Sequence, residues 1–185
     1  MTTQTATQGA DLRSLRKARG LTLADVAARL GKSVGWLSQV ERNLSVPEAG
    51  DVQALAQIFR VPLSLFASPQ MPDTESGRIV RAHNRRAIGE RTQGLVEDLL
   101  SPDLTDAFEV IHSTFLPGAI RNDPITRATA ELAVMIAGKL DIRLGDDDFT
   151  VTQGDAFRIR GETLRWANPY ETPAIAVWVI SPPVY

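Results

Sequence analysis

The sequence predicts an α+β chain of two modules: an N-terminal five-helix bundle containing a helix-turn-helix, and a C-terminal all-β, jelly-roll-like barrel. Three observations predict it. Apolar stripes at helical spacing, with helix punctuation, run up to about residue 66; a Pro-, Ser- and acid-rich stretch follows; beyond it come short β-prone runs separated by turn residues. The expected boundaries are 10–67 for the helical module, 68–77 for a linker and 78–185 for the β module.

In the helical module Leu12 and Leu15 lie three apart, and Leu23, Val26, Ala27 and Leu30 follow the i, i+3, i+4, i+7 stripe of a half-buried helix. Gly20 and Gly31 stand where helix ends favour positive φ, and Thr22 and Ser33 are suitable N-caps for the helices that follow. Val52, Leu55, Ala56 and Phe59 form a further stripe between Pro47 and Pro62, and a short helix around Leu63 to Phe66 completes the expected five. In the β module the predicted strands are Phe108 to Leu116, Glu131 to Ile136, Leu140 to Leu144, Phe149 to Val151, Ala156 to Ile159 and Ala174 to Ile180. Turn pairs such as Pro117-Gly118, Gly145-Asp146 and Gly154-Asp155 fall between them.

Composition narrows the chemistry. The chain has 185 residues and no cysteine, which excludes disulfides, thiol catalysis and thiolate metal sites. No leader pattern and no 18-residue apolar run occurs, so neither a membrane partner nor export is expected, and the expected location is the cytoplasm. Net charge is −2. It divides unevenly, with eight Arg and Lys against five Asp and Glu in residues 1–68 and twelve against seventeen in the rest. A modestly basic head on an acidic body suits a nucleic-acid reader attached to a module that is not one.

The stretch from Gly20 to Asn43 gives two helices joined by a tight turn at Gly31-Lys32, which is helix-turn-helix geometry. On a helical wheel Trp36, Leu37 and Val40 share one arc; Val34, Gly35, Ser38, Gln39 and Arg42 occupy the other. The second arc carries base-reading chemistry. Gln39 can pair bidentately with adenine, Arg42 can reach a guanine edge or a phosphate, Ser38 can bond either, and Val34 can touch a thymine methyl. Gly35 permits close approach. The same residues would also suit the solvated face of an ordinary bundle.

Over residues 10–66 the chain resembles the XRE family, whose DNA-binding domain is like that of phage lambda repressor. Arg16, Gly20-Leu-Thr, Ala27, Gly31, Ser33, Leu37-Ser-Gln-Val-Glu-Arg42, Pro47, Val61-Pro62 and Leu65-Phe66 carry the match. The resemblance implies an internal ion pair between Arg16 and Glu41, which makes Glu41 structural, and phosphate contacts from Thr22 and Lys32. It implies a sequence-specific regulator whose partner is a double-stranded DNA operator. Three positions depart from the pattern: Leu23 stands where many members carry Gln, while Asn43 and Arg60 replace glycines. Asn tolerates the left-handed conformation.

From about residue 78 the chain resembles the small cupin barrel often fused behind XRE domains, on Leu99-Leu-Ser-Pro-Asp103, Pro117-Gly-Ala119, Glu131 with Gly138, Gly154-Asp155, Trp166-Ala-Asn-Pro169 and Trp178-Val-Ile-Ser-Pro-Pro183. Metal-binding cupins need a His-x-His pair, a Glu and a late His. The resemblance puts Ile125, Arg127 and either Leu164 or Arg165 at the histidine positions, so that only Glu131 survives and neither a metal nor another cofactor is expected. The alternative function, a metal-dependent oxidoreductase or epoxidase of the cupin type with a helix-turn-helix head, needs the missing histidines. His83 and His112 lie on other segments, His112 as an expected core or rim residue.

Strand parity turns Arg127, Glu131, Ala133 and Met135 inward and Leu132, Val134 and Ile136 outward. The expected effector is a small anionic or zwitterionic metabolite, held by Arg127 and Arg165 with Glu131 orienting an arginine or accepting an ammonium. Trp166, Phe157 and Met135 form the apolar walls. The other reading of Arg127 and Glu131 is an internal salt bridge that fills a dead site. Arg78, Arg81, Arg85, Arg86 and Arg91 are expected on a solvated strand and loop face. A homodimer formed through the cupin module is expected, because two-fold operators require a two-fold protein.

Overall fold

The computed structural model describes residues 9–66, 74, 75, 77–88 and 92–184. Most of the predicted linker 68–77, and Arg91, lie outside the described residues. The chain divides into two compact units. The first is built from the chain up to Ile88 together with Pro102–Asp106, and the second from Gly89–Ser101 and Ala107–Val184.

The first unit contains α1 (Gly9–Ala18), α2 (Leu23–Leu30), α3 (Val34–Glu41) and α4 (Ala49–Phe59). Among the described residues there are four α-helices rather than the expected five. Leu63–Phe66 forms a single 3-10 turn, because four residues after Pro62 provide no run of i to i+4 bonds. The predicted stripes face the core: Leu12, Leu15, Val26, Ala27, Leu37, Val40, Val52, Leu55, Ala56 and Phe59 are all buried. Thr22 caps α2 in a reciprocal box with Asp25, and Ser33 caps α3 by accepting the Trp36 N–H at 3.1 Å. Between these helices Gly31 adopts φ +66, the left-handed conformation that lets the chain turn within three residues. Asn43 and Arg60 occupy the same region, at φ 57 and 56, where the sequence departs from glycine.

One ion pair of the first unit was not legible as such. Arg86, in the two-residue strand β1 (Arg86–Ala87), is buried and not part of a solvated face. Its Nη1 donates to Asp11 Oδ2 at 2.7 Å and to the Leu65 carbonyl at 3.1 Å, and its Nη2 donates to the Pro102 carbonyl at 2.9 Å. Asp11 Oδ1 accepts the Leu104 N–H at 2.8 Å. Burial pushes the Asp11 carboxyl up, against the pull of the Arg86 guanidinium and the Leu104 N–H. A guanidinium needs several acceptors to leave water, and this one has three.

The second unit is a two-sheet sandwich. Its strands are β2 (Leu95–Leu99), β3 (Glu109–Phe115), β4 (Ile120–Ile125), β5 (Ala130–Ala137), β6 (Lys139–Leu144), β7 (Asp147–Thr152), β8 (Ala156–Arg160), β9 (Leu164–Ala167) and β10 (Ala174–Ser181). Within this unit the larger sheet runs β2-β3-β10-β5-β8 and the smaller β4-β9-β6-β7. The expected closed barrel is therefore corrected to two sheets whose ladders do not join. In β4 the pairing shifts between Arg121 and Ile125, where Pro124 has no N–H to give. The inner faces pack Ile111, Phe115, Ala133, Met135, Leu140, Ile142, Ala176 and Ile180, all nearly inaccessible. Gly138, between β5 and β6, has φ +74, and a Cβ there would run into the Pro173 carbonyl. Among the described residues no helix is long and apolar enough to cross a membrane.

The Arg86 network yields a stability prediction. Arg86→Ala strands the Asp11 carboxyl in the core and should lower the unfolding free energy of the full chain by about 3–5 kcal/mol in urea titration. A loss below about 1 kcal/mol would show that the pair contributes nothing net.

Candidate functional site

Two groups of residues carry the chemistry singled out in the sequence, one in each unit. In the first, α3 is eight residues long and too short to be stable alone, so its position depends on what it packs against. Leu37 and Val40 enter the core. Glu41, also buried, takes a two-pronged bond from Arg16 on α1, with Nε to Oε1 at 2.6 Å and Nη2 to Oε2 at 2.9 Å. The Glu41 carboxylate raises the Arg16 guanidinium pKa further. Arg16 also donates to the Leu21 carbonyl at 3.0 Å, tying the pair to the start of α2.

With that side anchored, the opposite arc is free. Ser33, Val34, Gly35, Gln39 and Arg42 are exposed and Ser38 half-buried. Trp36, expected on the packed arc, is half-buried, with the Lys32 ammonium 5.0 Å from its ring centroid. Lys32 also pairs with Asp51 at 3.1 Å, so this predicted phosphate contact is engaged within the unit. Arg42 Nε lies back on the Ser38 carbonyl at 3.1 Å, and Thr22 is exposed at the mouth of α2.

In the second unit a cavity of about 40 Å³ lies between the two inner sheet faces. Ile125, Arg127, Glu131 and Leu164 all line it, so the four positions that the cupin resemblance assigns to ligands do converge. Leu164, and not Arg165, takes the late position. The donor set does not fit a metal ion, since one carboxylate, one guanidinium and two aliphatic chains replace the histidine-rich set. Among the described residues no cluster of three His, Cys, Asp or Glu is placed to hold one. Glu131 Oε1 accepts from Thr129 Oγ1 at 2.7 Å and from Arg127 Nη1 at 3.3 Å.

Of the other expected ligand residues, Trp166 lines the cavity, with its ring 4.7 Å edge-on from Phe115. Phe157 stands edge-on behind Trp178, at 5.4 Å, and Met135 is packed deeper in the core, off the cavity. Arg165 does not join Arg127. It alternates with the inward Leu164 and Trp166, so it projects from the opposite face, where its Nε donates to the Asn122 carbonyl at 2.9 Å. Three polar lining residues escaped the sequence reading: Glu97, Ser113 and Arg121. Ser113 Oγ donates to Glu97 Oε1 at 3.1 Å, and Arg121 Nη1 to Thr92 Oγ1 at 2.8 Å. Glu97 lies midway between the inward Leu95 and Leu99, a period-two signal present in the sequence.

Comparison with known proteins agrees with both units. Residues 9–68 match the family model described as "Helix-turn-helix domain". The chain is 29% identical over 153 residues to "HTH-type transcriptional regulator SutR" of Escherichia coli (strain K12), an alignment covering 82% of this chain and 80% of that protein. It is 32% identical over 91 residues to an uncharacterized HTH-type transcriptional regulator of Mycobacterium tuberculosis, covering 48% of this chain and 36% of that one. Among solved structures, an RmlC-like cupin from Shewanella frigidimarina superposes with a TM-score of 0.50 at 15% identity, over 57% of this chain and 91% of that chain, a likeness of fold.

The anchoring pair is testable by itself. Glu41→Gln leaves the Arg16 guanidinium, 11% exposed, without its counter-charge, and should destabilise the protein by about 3 kcal/mol in urea unfolding. Unchanged stability would mean that Leu37 and Val40 alone hold α3.

Proposed function

We propose that the chain is an XRE-type helix-turn-helix regulator with a cupin domain, a sequence-specific regulator whose α3 reads a two-fold operator and whose cupin domain senses a small anionic or zwitterionic metabolite, a reading supported by the helix-turn-helix match, the likeness to SutR and the fold of the second unit. The observation that carries the first half is the arc of Val34, Gly35, Ser38, Gln39 and Arg42, left accessible while Leu37, Val40 and Glu41 are buried. Gln39 and Arg42 read bases, Ser38 bonds a base edge or phosphate, and Val34 packs on a thymine methyl. Thr22, Ser33 and Lys32 approach the backbone, where Lys32 exchanges Asp51 for a phosphate. The protein works in the cytoplasm as a homodimer, because one such head covers only half a site.

For the second half, the support is the mixed charge around the cavity: Arg121 and Arg127 suit a carboxylate or phosphate, and Glu97 and Glu131 an ammonium. A void of 40 Å³ is close to the share of one water, so an effector enters only if Arg127 swings off Glu131. That requirement couples occupancy to a change in the sandwich, and regulation follows if one arrangement of the reading heads binds effector better than another. The rival reading, a cupin oxidoreductase, requires ligands at Ile125, Arg127 and Leu164 that those side chains cannot supply.

Gln39→Ala and Arg42→Ala should each cost about 1–3 kcal/mol of specific operator affinity in mobility-shift titration, without change in melting temperature, since both side chains are exposed. Wild-type affinity in the double variant would refute the reading arc. In a thermal-shift screen of carboxylates, amino acids and phosphates, compounds that stabilise the wild type should lose that effect on Arg127→Ala. Absence of any hit, or equal shifts for both proteins, would leave the salt bridge as a structural filler.

A further inference from the structure

The outer face of the larger sheet is apolar where an isolated protein would be polar. Leu132 is 44% exposed, Val134 37%, Ile136 46%, Val179 41% and Val96 51%, and the half-buried Val110, Ile175 and Val177 fill the spaces between them. The pairing register sets these side chains in rows across the strands. From β2 to β8 one row reads Asp98, His112, Val177, Val134 and Ala156, and the next, beginning on β3, reads Val110, Val179, Leu132 and Arg158. The centre is thus aliphatic around β10, with an acidic edge at Asp98 on β2 and a basic edge at Arg158 and Arg160 on β8. A contiguous apolar field with charged margins is the pattern of a surface that is covered in use.

We propose that this face is the homodimer interface, two copies of the chain packing larger sheet against larger sheet about a two-fold axis that runs along β10. The inference rests on the two-fold operator reading above and assigns the surface that meets its requirement. Two like faces can oppose each other only about an axis lying in the plane between them. When that axis follows the middle strand, β10 meets its own copy, β3 meets the other copy's β5, and β2 meets the other copy's β8. Val177 and Val179 then pack on themselves, and the Asp98 edge of each copy faces the Arg158 and Arg160 edge of the other. The charge asymmetry across the sheet, moderated in the single chain by Glu162 beside Arg158 and Arg160, becomes complementary in the pair.

The area is that of a small interface. The five strands are five to eight residues long and about 4.8 Å apart, which gives about 500 Å² per copy. The pair covers about 1,000 Å², the least that marks a specific interface. The smaller sheet has no such field: Ile120 is exposed on its outward face, but the neighbouring outward positions Asp141, Arg143, Asp148 and Thr150 are polar.

The test uses the full chain in sedimentation equilibrium. The wild type is expected to be a dimer at micromolar concentration, and Leu132→Glu with Val179→Glu should raise its dissociation constant more than about a hundredfold, because each would bury a carboxylate against aliphatic side chains. Ile120→Glu, at a 51% exposed position of the smaller sheet, should remain dimeric. Since the chain has no cysteine, Val179→Cys supplies a single thiol. Facing sheets stand about 10 Å apart, so a short bis-maleimide should link Val179→Cys into covalent dimers and leave the dimeric Ile120→Cys protein without a covalent link. Asp98→Arg should weaken the dimer about tenfold, and adding Arg158→Asp should restore it. A Leu132→Glu, Val179→Glu protein that dimerises like the wild type, or a dimeric Val179→Cys protein that does not cross-link, overturns this face and leaves the two-fold reading intact. A monomeric wild type overturns both.

Discussion

Everything that makes the first unit usable as a reader passes through the bond between Arg16 and Glu41. Helix α3 has eight residues, three of them buried, and no isolated helix of that length persists in water. Its roll about its own axis must be set from outside. Leu37 and Val40 fix one side by packing, but aliphatic contacts tolerate small rotations. The fork of the guanidinium on the carboxylate does not, because both prongs must remain near 2.6 and 2.9 Å. The consequence appears on the far side, where Gln39 and Arg42 emerge at defined angles. The Ser33 cap and the left-handed Gly31 do the equivalent work at the start of the helix.

The second unit faces a different constraint, that of charge in a confined interior. Arg127, itself a cation, cannot hold a metal ion, and beside Glu131 it closes the carboxylate into an internal ion pair. Burial of that pair is tolerable because Thr129 supplies a further donor to the carboxylate and Arg127 stays partly accessible, with 28% of its side chain exposed. The surrounding walls of Trp166, Trp178 and Ile125 exclude most water. A molecule entering this space would have to replace what the pair already supplies.

The outside of the same sandwich has the opposite arrangement. Strand parity that buries Glu131, Ala133 and Met135 necessarily exposes Leu132, Val134 and Ile136, and the neighbouring β10 does the same with Val179. One alternation therefore produces both the inner cavity and the outer apolar field. Substitutions on either face are expected to be felt through the strand they share.

Much of this was legible in the order of residues, because helix ends and strand parity are local. Thr22 and Ser33 as caps, the turn at Gly31, the tolerance of Asn43 for positive φ, and the in-and-out pattern of β5 each depend on a few consecutive residues and the backbone geometry they allow. The apolar stripes likewise marked which side of each helix is buried. Chain topology decided the rest. Strands β2, β4 and β9 carry Glu97-Asp98, Asn122-Asp123-Pro124 and a length of only four residues, so they have weak intrinsic β signals and exist because neighbouring strands pair with them. The separation of Arg165 from Arg127, the arrival of Arg121 in their place, and the burial of Arg86 against Asp11, 75 residues away in sequence, are non-local. Residue spacing along the chain assigns each side chain to one face of its helix or strand. Which of those faces meet is a matter of the folded chain, because long-range contacts are set by packing between elements and not by the spacing within one.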